Sequence, residues 1–408
     1  MTLTGPFKQI LTMDNLPPKG HLSDDQLEII PDGGILHQHG KIIEIGKYEQ
    51  LKHKNPDVTI ERLDGDWVVL PGMIDVHTHI CWAGSRANDY ALRLSGKSYL
   101  EMAESGGGIW NTVEKTRKTT RIELAELTAQ RAQKLLKQGV TTIEVKSGYG
   151  LSFEDELEML EAIKLADRNS LAELVPTCLA AHILPQDFDG NEVEYLQHII
   201  DKLLPEIKKK NLAKRVDIFV EKSAFSVTEA KYYLLKAKEL GFEIAIHGDQ
   251  FTTGVAELAN EVKAVSIDHL EAANDEEIAI LAKGNVIPVV LPGASIGLGE
   301  PFAPAHKLLD AGTSLVIASD WNPGSAPMGN LLTVAAILGA FEKLTMTEVL
   351  AALTCRAALA LNKPDRGILK PELKADFIAF KTNDYREILY RQGELKPEKV
   401  WKNGLLQH

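Results

Sequence analysis

Residues 67–79 read WVVLPGMIDVHTH, an apolar run that ends on two histidines, His77 and His79. Side chains at i and i+2 of a strand point to the same face, so the run reads as a strand carrying both imidazoles to one point. By itself this is a weak metal signal, and it gains weight from the rest of the chain. A short run rich in Val and Ile, succeeded by a longer segment with helical periodicity, recurs from about residue 66 to 362. The runs are Trp67 to His79, Val140 to Ser147, Leu174 to His182, Val216 to Glu221, Phe242 to His247, Ala264 to His269, Val286 to Leu291 and Ser314 to Asp320. Between them lie ELAELTAQRAQKLLKQG, FEDELEMLEAIKLADR and VTEAKYYLLKAKELG, the first and third closing on the Gly that helix ends prefer. Strands apolar on both faces fit a parallel sheet covered by helices, and eight such units predict a closed (β/α)8 barrel, class α/β. An open doubly wound sheet is the structural rival.

The flanks have another texture. Residues 1–65 contain GGILHQHGKIIEIGKYEQL, and residues 365–408 contain KADFIAFKTNDY and KVWKNGLL, all short and strand-like. They predict one small, β-sandwich-like domain composed of both chain ends, beside a barrel spanning residues 66–364. The stretch from Cys81 to Arg121 reads as an insertion after the first barrel strand, and the glycines at 106–108 suggest a turn or lid over the mouth.

Composition narrows the functional classes. Of 408 residues, 44% are apolar and 25% charged, which excludes disorder and low complexity. A net charge of −12 repels phosphate backbones and anionic lipid, so neither nucleic acid nor membrane is an expected partner. Cys81, Cys178 and Cys355 are too few and too scattered for a disulfide framework, and with no leader-like start they point to the cytoplasm.

Polar residues fall at the carboxyl ends of the runs: His77, His79, His182, His247, His269 and Asp320. In a barrel these ends converge on the face that carries active sites. One such His is as readily a satisfied buried imidazole; five and an aspartate in the same topological position are harder to explain that way. His77, His79, His247 and Asp320 together offer nitrogen and oxygen donors for a metal with room for water. His37-Gln38-His39 has the same spacing without companions and reads as a surface pair, and Cys81 as a small apolar residue. ALRLSGKS at 91–98 imitates a phosphate loop, but Leu92, Arg93 and Leu94 oppose the required tight bend.

With its HxH after VVLPGMID, His at the ends of strands five and six, Asp at the end of strand eight and a split β domain, the chain resembles the amidohydrolase superfamily. The segments RANDYALRLSGKSY, AESGGGIWNTV, VKSGYGL, LAAHILP, VDIFVEKSAFS, DHLE and SDWNPGSAPMGNL narrow the likeness to members that hydrolyse 4-imidazolone-5-propanoate to N-formimidoyl-L-glutamate in histidine degradation. The resemblance implies one divalent metal per chain, zinc or iron, on His77, His79, His247 and Asp320, with Asp320 and His269 as the catalytic groups. It implies substrate contacts from Arg86, Tyr149, His182, Asn322, Gly324 and Ser325, with Tyr99 assisting from the insertion. Arg86 could bind the carboxylate tail of such an anionic cyclic amide bidentately or serve a structural ion pair. A homodimer is the expected assembly.

One position departs from the commoner pattern: three residues after His247 stands Gln250 where many members have Glu. A primary amide hydrogen-bonds the substrate but cannot shuttle a proton. Two rivals remain. A dihydroorotase- or hydantoinase-like enzyme would use two metals bridged by a carboxylated lysine, with Glu221 and Lys222 lying where a bridge is needed. A catalytically silent scaffold paralogue would show a broken ligand set.

Overall fold

The computed structural model describes residues 1–96 and 107–407. Eight strands form one parallel sheet in strict sequence order: β6 (Met73–Asp75), β7 (Val140–Lys146), β8 (Glu173–Ala181), β9 (Arg215–Val220), β10 (Glu243–Gly248), β11 (Ser266–His269), β12 (Ile287–Val290) and β13 (Val316–Ile317). The ring closes through a parallel bridge between Thr78 and Trp321, where His79 N donates to Trp321 O at 3.0 Å and Asp320 N to His77 O at 3.1 Å. Sequential order without a reversal point excludes the doubly wound alternative.

The helices form where periodicity placed them, at Arg121–Lys137, Phe153–Asn169 and Val227–Glu239. Thr120 with Glu123, and Ser226 with Glu229, close capping boxes on the first and third. Each buries one stripe; on the first it is Leu124, Ala125, Thr128, Ala132, Leu135 and Leu136. Gly139, at φ +92°, turns the chain after the first helix, and a Cβ there would press on Ile378 and Met73.

The termini make a second eight-stranded sheet. Its path is β16 (Leu405–Leu406), β15 (Lys399–Lys402), β14 (Phe377–Phe380), β5 (Val68–Pro71), β1 (Thr2–Leu11), β2 (Ile29–Gln38), β3 (Lys41–Lys47), with β4 (Thr59–Arg62) also on β1. Phe7, Phe377 and Trp401 head its own core. The opening run of the sequence is thus divided: Val68–Pro71 pairs in the terminal sheet, and only Met73–Asp75 belongs to the barrel. His37 is no surface residue as expected; it is buried, with Nε2 2.9 Å from Thr4 Oγ1, while His39 is exposed.

Terminal segment and barrel are tied at Glu173, at the start of β8. Arg366 Nη1 donates to its Oε2 at 2.6 Å, Lys374 Nζ at 2.8 Å, and Lys363 reaches Oε1 at 2.9 Å. Burial opposes the charge on Glu173, but these three cations hold its carboxyl well below the usual range. Arg366→Ala should cost about 3 kcal/mol in denaturant unfolding at neutral pH, because it strips a partner from a largely buried pair. A carboxyl held low in the fold stabilises above its unfolded value and loses that contribution as pH falls. The gap between wild type and variant should therefore close as acid protonates Glu173; a gap independent of pH contradicts this role.

Candidate metal centre and its cavity

Three imidazole nitrogens and a carboxylate oxygen come together at the carboxyl end of β10 and just beyond those of β6 and β13. His79 Nε2 lies 3.2 Å from His77 Nε2 and 3.4 Å from His247 Nε2. Asp320 Oδ1 is 3.5 Å from His77 Nε2 and 3.4 Å from His79 Nε2. Edges of about 3.4 Å suit donors about 2.0–2.1 Å from one cation; the three imidazole nitrogens lie within 4.8 Å of one another, and Asp320 Oδ1 approaches those of His77 and His79. All four residues are buried.

The groups behind these donors decide their tautomers. His77 Nδ1 is hydrogen-bonded to Asp268 Oδ2 at 2.7 Å, which places its proton on Nδ1 and turns its Nε2 lone pair inward, while His247 Nδ1 stands 3.0 Å from Asp217 Oδ2 as a close ion-pair contact. Burial, and the charges nearby, hold His77 and His79 well below the usual imidazole range and push His247 down to about 4. Neutral imidazoles are the metal-binding form. His79 has no comparable brace on Nδ1 among the described residues.

Beneath them Lys146 Nζ donates to Asp217 Oδ2 at 2.7 Å and Glu144 Oε1 at 2.8 Å, and stands 3.6 Å from Asp268 Oδ2. Burial opposes this ammonium, but the three carboxylates outweigh it and raise its pKa. Three buried carboxylates, Glu144, Asp217 and Asp268, thus surround one buried lysine, with the buried Arg215 also acting on Glu144 and Asp320 standing beside the imidazoles. Converging imidazole and carboxylate lone pairs are the donors a cation takes; the donor set fits a divalent metal.

The donors open into a cavity of about 530 Å³. Of the residues singled out in the sequence, His79, Arg86, Tyr149, His182, His247, Gln250, His269, Asp320, Asn322, Gly324 and Ser325 all line it. Tyr99 and Gly106 lie outside the described residues. Gly107 precedes the helix Gly108–Arg117, and Ile109 reaches the cavity wall. Arg86 Nε donates to Asp89 Oδ2 at 2.8 Å, which, among the described residues, leaves the Nη1–Nη2 edge for a ligand; a Cβ on Gly324 would collide with Nη1. Asp89 Oδ2 also accepts from Gly108 N at 2.8 Å, so one buried carboxylate ties the arginine to the helix Gly108–Arg117.

His182 Nδ1 donates to Gly148 O at 2.9 Å, and its ring stacks on His79 with centroids 5.6 Å apart; burial pushes it down to about 4, so Nε2 is an acceptor. Burial raises the Tyr149 phenol, which stays protonated. Burial also works against a charged His269, but Glu271, 3.3 Å from its Nδ1, leaves the imidazole above its ordinary value. Asn322 Oδ1 accepts from Gly324 N at 2.7 Å and Ser325 N at 2.8 Å, shaping the loop after β13.

Asp249 is buried, and its Oδ1 accepts from Val255 N at 3.1 Å. It does not line the cavity. Glu221 accepts from Phe251 N at 2.7 Å and Thr252 N at 3.0 Å, and Lys222 is exposed, so neither bridges metals. Cys81 is buried, with its thiol pushed up to about 12 by burial, as suits an apolar packing residue. The described part of the motif at 91–98 begins inside the helix Ala87–Leu94 rather than in the tight bend of a phosphate loop, and Lys97 and Ser98 lie outside the described residues.

Sequence reasoning missed the charged layer of Glu144, Lys146, Asp217 and Asp268. Its signal was charged residues inside otherwise apolar strands. It also missed Arg93, whose guanidinium lines the cavity and donates to Gly297 O at 2.6 Å and Gly324 O at 3.3 Å.

The amidohydrolase family profile matches residues 68–406. The chain is 40% identical over 409 aligned residues to the imidazolonepropionase of Bacillus cereus (strain ATCC 10987 / NRS 248), covering 99% of this chain and 96% of the relative. The imidazolonepropionase of Bacillus mycoides (strain KBAB4) matches to the same extent. By these findings the chain belongs to the amidohydrolase family and, within it, to the imidazolonepropionase group. In fold it resembles the zinc complex of atrazine chlorohydrolase TrzN from Arthrobacter aurescens TC1, with TM-score 0.67, 16% identity and coverage of 100% and 95% of the two chains. It likewise resembles guanine deaminase from C. acetobutylicum with bound guanine, with TM-score 0.69, 16% identity and full coverage of both.

Since a carboxylate behind a ligating imidazole fixes its tautomer, Asp268→Asn should weaken metal binding about 10–100-fold in competition with a chromophoric chelator. Unchanged affinity would contradict the bracing role.

Proposed function

We propose that this chain hydrolyses the cyclic amide C–N bond of 4-imidazolone-5-propanoate to N-formimidoyl-L-glutamate, with one divalent cation, zinc or iron, on His77, His79, His247 and Asp320. The observation that carries this reading is the convergence of four metal donors at the floor of a cavity whose wall presents the free edge of Arg86. When bound, the cation supplies charge that acidifies a water and polarises a carbonyl.

The chain's own residues supply the rest. Asp320 presents Oδ1 to the imidazoles, while Oδ2 lies 3.4 Å from Ser325 Oγ and is free to accept a proton from the attacking water. Water oxygen bonds to the ring carbonyl carbon, the ring C–N bond breaks, and Asp320 returns the proton to the departing nitrogen. His269, held by Glu271, donates to the carbonyl oxygen. Arg86 grips the propanoate tail through Nη1 and Nη2, with its Nε fixed by Asp89. Tyr149 donates and His182 accepts hydrogen bonds along the ring. Gln250 orients the ring without moving a proton, which leaves proton transfer to Asp320 and His269.

Residence in the cytoplasm and a homodimeric state belong to the same proposal. Three buried free thiols suit a reducing compartment, and no helix among the described residues is long and apolar enough to cross a membrane.

Metal-loaded protein should consume the imidazolone and release the formimidoyl product, and His247→Ala should not. No turnover by the loaded wild type rejects the substrate; full turnover by the variant rejects the site. Arg86→Ala should raise KM about 30-fold, the loss of roughly 2 kcal/mol of charged hydrogen bonding, with a smaller effect on kcat. An unchanged KM would remove Arg86 from tail recognition.

A further inference from the structure

Away from the cavity, a second group of nitrogen and carboxylate donors stands where three segments meet. His306 and Asp310 lie one turn apart on the helix Ala305–Asp310, a spacing that puts both side chains on one face. His21 arrives from the loop between β1 and β2, with Nε2 2.7 Å from Asp310 Oδ1. His306 Nε2 is 3.8 Å from Asp310 Oδ2, and the two imidazole centroids are 5.0 Å apart. One ligand atom from each of the three residues lies within 4.8 Å of the others.

The surroundings are built to hold His21 in place. Glu348, buried on the helix Met346–Leu353, sets Oε1 2.7 Å from His21 Nδ1 and accepts from Leu22 N at 3.0 Å, while its Oε2 accepts from Thr345 N at 2.8 Å. The loop itself is fixed on both sides. Gly20 N donates to Thr313 O at 2.7 Å, Arg356 Nη2 donates to Gly20 O at 2.7 Å, and Thr345 Oγ1 donates to Leu22 O at 2.7 Å. A ligating imidazole commonly gives its other N–H to a carboxylate, which is the arrangement of Glu348 behind His21.

A protonated His21 between two carboxylates would account for Glu348 and Asp310. It would not account for His306, whose ring packs against His21 with its Nε2 turned to the same aspartate. A second imidazole adds nothing to an imidazolium bridge, but supplies the third donor of a cation.

We propose that His21, His306 and Asp310 form a second divalent-metal site, of the borderline-soft kind that zinc occupies, with Glu348 orienting His21 and water completing the coordination. None of the three residues lines the catalytic cavity. The ion's work there is to pin the 20–22 loop of the terminal region against two helices of the barrel. A total of two metals per chain would then not mean a dinuclear active site.

The test is zinc uptake by metal-stripped, full-length protein, read by competition with a chromophoric chelator. Wild type should take up two ions. His306→Gln should keep one and retain turnover, because only the barrel ion serves the chemistry. His247→Ala should also keep one, lost when His306→Gln is added. In cobalt-loaded His247→Ala a visible ligand-field spectrum should report the outer site and vanish in the double variant. Uptake of one ion by wild type, or uptake that His306→Gln leaves unchanged, overturns the proposal. Should His247→Ala fail to fold, the comparison of wild type with His306→Gln decides alone, since His306 is part-exposed and its replacement leaves the core intact. Failure of this outer site leaves the barrel centre untouched, because the two are read on different variants.

Discussion

The buried ammonium of Lys146, shared among Glu144, Asp217 and Asp268, is the contact on which the rest of the barrel mouth depends. Two of those carboxylates each face one imidazole at Nδ1, Asp268 that of His77 and Asp217 that of His247. The inward Nε2 lone pair of His77 results from the hydrogen bond to Asp268. Without the lysine, three buried carboxylates would repel one another under the candidate metal donors, and protonating Asp268 or Asp217 would remove the carboxylate facing an imidazole. One cation below the site therefore prepares the place for another within it.

The cavity wall repeats this logic one layer out. Asp89 fixes Arg86 by Nε and Gly108 by its amide, so the arginine edge that faces the cavity is set by a buried carboxylate. Gly324 lets the guanidinium lie flat against the loop after β13, and Asn322 shapes that loop by accepting from two of its amides. Arg93 ties the same loop to Gly297. Barrel floor and cavity wall are thus both organised by side chains that need not touch a substrate.

The eight strands and their order were legible because burial on both faces leaves continuous apolar runs, and the candidate metal donors because nearly every run ends on a polar residue. The division at Pro71 was not legible: WVVLPGMID is apolar throughout, and only pairing reveals that its first half belongs to the terminal sheet. His37 misled because its partner, Thr4, is thirty-three positions away and on another strand. The Lys146 layer was present as charge within apolar strands, yet its meaning rests on contacts between β7, β9 and β11 that no local pattern carries. Gln250 stands at the cavity as its position after His247 suggested, while its neighbour Asp249 turns away to hold Val255.

The central claim is that the barrel mouth is preorganised around one cation. Anomalous diffraction from crystals of the zinc-loaded protein addresses it most directly. The account predicts a peak inside the barrel about 2.0–2.1 Å from the Nε2 atoms of His77, His79 and His247, with Asp320 Oδ1 as the fourth protein ligand. A barrel without that peak, or an ion bound there through Nδ1 atoms or through Lys146, would contradict it.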